Sequence, residues 1–61
     1  MKSDYEILGL PENASKDLVE KKYGVLLRQY KSRTDEYGVT DEDANYYASI
    51  TAAYNHIMGL D

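Results

Sequence analysis

The sequence predicts an all-α fold: a short N-terminal helix followed by an antiparallel two-helix hairpin. Three observations carry this expectation. Apolar residues recur at helical spacing in two long stretches, Val19, Tyr23, Leu26, Leu27 and Tyr30 in one and Ala44, Tyr47, Ile50, Tyr54 and Ile57 in the other. No stretch alternates apolar and polar residues as a half-buried strand does. Each long stretch opens on a residue suited to cap a helix, Ser15 and Thr40.

Taken in order, residues 4–9, DYEILG, predict a helical turn in which Asp4 caps the free N–H groups and Gly9 ends the turn. Leu10-Pro11-Glu12-Asn13 reads as a connection, because proline fixes its own backbone and disfavours helix in the residue before it. Ser15 then starts the second helix, with Asp17 in the first turn, where the helix dipole favours an anion. Lys16, Glu20, Lys21, Arg28 and Lys31 fall mostly off its apolar face. Gly24 sits in mid-helix, where glycine costs about 1 kcal/mol relative to alanine. It either permits a close approach or is merely tolerated.

Residues 31–39 are polar and read as a loop, with Gly38 suited to a turn. Thr40 and Asp43 form a capping-box pattern, and Asp41, Glu42 and Asp43 gather negative charge at the start of the third helix. Gly59 ends that helix, and Ala48, Ala52 and Ala53 lend it propensity. Two helices of about 15–18 residues, each roughly 22–27 Å long and joined by a loop of about nine, can fold back and bury facing stripes. The expected core is Tyr5, Leu8, Val19, Tyr23, Leu26, Leu27, Tyr30, Tyr47, Ile50, Tyr54 and Ile57.

With 61 residues, a single domain spanning 1–61 is expected. A domain of this size buries only roughly 60% of the surface its unfolded chain exposes, so its stability margin is thin. The chain has no cysteine and one histidine, His56, so neither a metal centre nor a cofactor is expected. No window approaches a membrane span and no secretory leader is evident, so no membrane insertion by this segment is expected, and the expected compartment is the cytoplasm.

The net charge of −4 conceals a segregation: residues 16–33 carry six basic against two acidic side chains, whereas residues 34–61 carry six acidic side chains and no Lys or Arg. The basic segment either meets an acidic partner or complements the acidic remainder of the chain. Seven tyrosines raise the question of base stacking. Five of them are assigned to the core, leaving Tyr37 and Tyr46, and the negative charge opposes a phosphate backbone, so no nucleic acid is expected. Catalysis is not expected either: Ser32 lies between two cations and His56 near the end of the last helix, in no spacing that pairs a nucleophile with a base.

Three segments together resemble a J-domain, the helper module of heat-shock ATPase chaperones. DYEILGLPENAS is similar to the family's opening turn and helix start, VEKKYGVLLRQY to its second helix, and YASITAAYNHI to its third. The resemblance implies the same helical fold, with Tyr23, Leu26, Tyr30, Tyr47, Ile50, Ala53, Tyr54 and Ile57 at packing positions. It also implies that a His-Pro-Asp tripeptide should follow Tyr30. Lys31, Ser32 and Arg33 stand there instead, and the charge at the third position is reversed. A guanidinium cannot accept the hydrogen bonds that a carboxylate accepts. Of the basic residues that the family presents on its second helix, Lys21 and Arg28 have counterparts, and Lys22 stands where alanine is usual.

The expected function is therefore a non-catalytic protein-interaction module, a degenerate J-domain that does not stimulate a chaperone ATPase. Its candidate contact residues are Lys21, Lys22, Arg28, Lys31, Ser32 and Arg33. The expected partner is a protein, either a heat-shock chaperone ATPase or a true J-domain protein. Two alternatives stay open: an atypical chaperone co-factor docking through the basic second helix, and the N-terminal module of a longer membrane or scaffold protein.

Overall fold

A computed structural model describes residues 2–60 and is all-helical: α1 spans Asp4–Ile7, α2 Lys16–Tyr37 and α3 Asp41–Met58. α3 packs against both other helices, and α1 lies on α3 rather than on α2. Residue pairs across the α2–α3 interface run in opposite senses. Tyr23 meets Tyr54, Tyr30 meets Tyr47 and Arg33 meets Asp43, so the two long helices are antiparallel.

α1 differs from expectation at its start. Ser3, not Asp4, is the N-cap: its backbone is extended and its Oγ accepts the Glu6 N–H at 3.2 Å. Asp4 is thereby the first helical residue and its carboxylate is available elsewhere. At the other end Gly9 adopts φ 75°, and the Leu10 N–H donates to the Tyr5 carbonyl at 2.8 Å while the Gly9 N–H donates to Glu6. This six-to-one closure satisfies the last carbonyls of the turn and directs Leu10 toward the core.

α2 starts as expected, with Ser15 Oγ accepting the Leu18 N–H at 3.2 Å. It does not end as expected. The helix continues through 31–33 to Tyr37, 22 residues in all, and only residues 38–40 connect it to α3. The physical reason lies in what the segment lacks: between Val25 and Tyr37 there is neither proline nor glycine to stop a helix. Gly38, at φ 80°, is the first residue free to leave helical geometry. α3 begins with the predicted capping box: Thr40 Oγ1 accepts the Asp43 N–H, and Asp43 Oδ2 accepts the Thr40 N–H. It ends at Gly59 in the left-handed region, with the Leu60 N–H donating to the Asn55 carbonyl.

The fully buried apolar core is small: Leu8, Val19, Ile50 and Ala53. Tyr5, Ile7, Leu10, Ala14, Tyr23, Leu26, Leu27, Tyr54, Ile57 and Met58 are packed around it and partly exposed. Expectation is corrected at Tyr30 and Tyr47, which lie outside this cluster. Tyr30 is half-buried and Tyr47 is 40% exposed; the two rings stack on each other at 5.3 Å. The reason is position, since α1 packs on α3 and Leu8 at its end joins Val19 and Ile50 in the core, whereas Tyr30 and Tyr47 lie nearer the 38–40 connection.

Candidate interaction surface on the second helix

Successive residues of an α-helix turn by about 100°, so residues seven apart share a face. Lys21 and Arg28 are such a pair, and Leu18 and Val25 are another pair beside them. All four are exposed, on the side of α2 turned away from Val19, Tyr23 and Tyr30. With Ser32 they form an outward stripe two cations and two aliphatics long. Leu18 and Val25 keep 42% and 41% of their surface, which makes the stripe mixed rather than purely basic.

The other three expected contact residues do not join it. Lys31 lies about 60° round the helix from Arg28. Lys22 is half-buried and lies beside the end of α1, its Cε 3.6 Å from where a β-carbon on Gly9 would stand. Arg33 turns toward α3, where its Nη2 lies 3.3 Å from Asp43 Oδ1. The loop expected to carry Lys31, Ser32 and Arg33 is thus a helical surface that splits them among three directions.

The Arg33–Asp43 contact is asymmetric: the arginine side chain is 61% exposed and the aspartate 5%. Asp43 has all its partners in place. Oδ2 accepts from the Thr40 N–H and hydroxyl at 3.1 and 3.0 Å, and Oδ1 faces the guanidinium. The Thr40 backbone N–H holds the Asp43 carboxyl below its ordinary value, burial opposes that shift, and the Thr40 hydroxyl and Arg33 charge reinforce it. Around this pair an open cleft of about 250 Å³ is lined by Gln29, Tyr30, Arg33, Asp43 and Tyr46. The sequence pattern identified Asp43 only as a cap. Its second partner is ten residues away on another helix, a relation that helical periodicity does not encode.

Ser32 and His56 lie on different helices and have separate surroundings. Ser32 is exposed on α2, while His56 Nδ1 lies 3.2 Å from Asp4 Oδ1, where α3 meets α1. Among the described residues no group of three or more His, Cys, Asp or Glu is arranged to hold a metal, and no helix is long and apolar enough to cross a membrane. Tyr37, which is 76% exposed, and Val39 project at the tip of the hairpin. Comparison of the chain with family models, with curated proteins and with solved structures finds no match.

Proposed function

We propose that the chain is a non-catalytic interaction module of the cytoplasm, a degenerate J-domain that binds a protein partner and does not stimulate a chaperone ATPase. One observation carries the reading: Arg33, at the position where the resembling family carries an aspartate, is turned inward onto Asp43 and lies within an unbroken helix. A trigger of the His-Pro-Asp kind needs a carboxylate acceptor presented from a turn. Here the corresponding residue is a cation whose nearest partner is already its own chain.

The outward stripe of α2 supports a retained docking function. Lys21 and Arg28 are exposed, share one face and form no ion pair among the described residues, so their charge is available to an acidic protein surface. This also favours the second reading, an atypical co-factor that docks on a heat-shock chaperone through α2. Leu18 and Val25 on the same face add apolar area to such a contact.

The test is the steady-state ATPase rate of a heat-shock chaperone with the chain, with a true J-domain alongside, and binding measured in parallel by calorimetry. The expected result is no stimulation. Stimulation comparable to that of the true J-domain overturns the reading. Binding without stimulation that is lost in the Lys21→Glu, Arg28→Glu double variant selects the docking form. Absence of binding to the chaperone selects a different protein partner, with a true J-domain protein the first to be titrated.

A further inference from the structure

The end of α2 is built unlike the other two helix ends. α1 and α3 each close on a positive-φ glycine followed by a leucine whose N–H reaches back five residues, Leu10 to Tyr5 and Leu60 to Asn55. α2 closes on Gly38 at φ 80° and ψ 172°, with a single bond from the Gly38 N–H to the Thr34 carbonyl. The next residue, Val39, is 64% exposed. Tyr37, the last helical residue, is 76% exposed.

Its sequence is equally unfavourable. Of residues 31–37 only Thr34 is even half-buried, and the other six are exposed. Ser32, Thr34, Asp35 and Tyr37 have modest helix propensity. The last turn carries Asp35 and Glu36 and no basic residue, so its charge opposes the negative end of the helix dipole. Thr34 bonds its hydroxyl back to the Lys31 carbonyl at 3.2 Å, in competition with the helical ladder. Against this stands a tertiary ion pair, Arg33 with Asp43, whose aspartate is buried and fixed by Thr40.

We propose that residues 31–37 are a conditional helix, a switch segment held helical by the Arg33–Asp43 pair and converted to an extended loop when that pair opens. In the open state the connection between α2 and α3 lengthens from residues 38–40 to about ten residues, and Lys31, Ser32 and Arg33 become a mobile, cationic loop. The core is untouched by the change, because Val19, Ile50, Leu8 and Ala53 all lie outside the segment. A protein surface with an acidic group to compete for Arg33 would draw the equilibrium toward the open form.

Residue-resolved amide hydrogen exchange on the full 61-residue chain tests this. In the native protein the amides of Asp35 to Gly38, which bond the carbonyls of residues 31–34, should exchange at least about tenfold faster than those of Tyr23 to Leu27. Arg33→Ala and Asp43→Asn should each accelerate the first group further and leave the second unchanged. Glu36→Lys, which corrects the dipole without touching the pair, should slow the first group. Equal protection of the two groups in the native chain overturns the proposal. So does a loss of protection in Arg33→Ala spread evenly along α2, since the pair would then hold the whole hairpin rather than its end.

Discussion

Tyr23 of α2 stacks on Tyr54 of α3 with ring centroids 4.1 Å apart and planes 11° from parallel, and its hydroxyl lies 3.0 Å from Thr51 Oγ1. One side chain thus spans the hairpin interface twice, once through its face and once through its tip. The hydrogen bond is partly buried and worth about 0.5–1.5 kcal/mol. Tyr23→Phe should keep the stack and lose that bond, lowering the urea midpoint without changing the slope of the transition. An unchanged midpoint would show that water replaces the Thr51 contact at no cost.

Ile50 is fully buried, whereas Leu26 is only partly so. Truncating a fully buried Ile to Ala commonly costs about 2–5 kcal/mol. In a core with four fully buried apolar residues, that loss approaches the whole stability of a small domain. Circular dichroism of Ile50→Ala should find it largely unfolded at room temperature, with Leu26→Ala still folded and Lys31→Ala close to native. The reverse order would refute the assignment of the core.

Gly24 and Gly59 should respond in opposite directions to the same substitution. A β-carbon on Gly24 meets nothing within 4 Å, and its backbone is helical, so Gly24→Ala should stabilise by about 0.4–1 kcal/mol. Gly59 has φ 72° and ψ 33°, a left-handed conformation that costs other residues roughly 1–2 kcal/mol. Thermal melts read both, at about 4–8 °C per kcal/mol for a domain of this size. A rise for Gly59→Ala would contradict the closure of α3 described above.

Acid should weaken the hairpin tip through Asp43. Its carboxyl is held below the ordinary value of 3.8, chiefly by the Thr40 N–H. A group whose folded pKa is depressed contributes stability that is fully present above its unfolded value and is lost as pH falls through the folded one. Melting temperature followed downward from pH 5 should therefore fall below about pH 4 in the native chain. In Asp43→Asn the curve should begin lower and fall less steeply over that interval. Identical slopes in the two proteins would exclude Asp43 as a contributor.

The helix starts at Ser15 and Thr40, the stop at Gly59 and the apolar stripes that bring Val19 to Ile50 were legible in the sequence, because capping and periodicity are local properties. The end of α2 was not. Residues 31–39 have loop-like composition, yet neither proline nor glycine precedes Gly38 to stop the helix, so α2 runs on to Tyr37. The candidate contact residues were legible by type and not by direction. Lys21 and Arg28 face outward together, but Lys22 beside Gly9 and Arg33 against Asp43 are claimed by the chain's own tertiary structure. Ser3 and Asp4 are both residue types that cap a helix, so sequence type does not separate them. The choice between them depends on which residue turns extended, and that is Ser3.

The meeting of Asp4 with His56 brings the start of α1 beside the last turn of α3, at the pole opposite the connection 38–40. A circular permutant that bridges these neighbouring ends with a few glycines, and is opened between Gly38 and Val39, keeps the Gly38 bond to Thr34 and the Thr40 box with Asp43. It exchanges one short closure for another, at little difference in loop entropy. The same proximity suits the domain to insertion within a host chain, which would carry it at one pole and leave Tyr37 and Val39 displayed at the other.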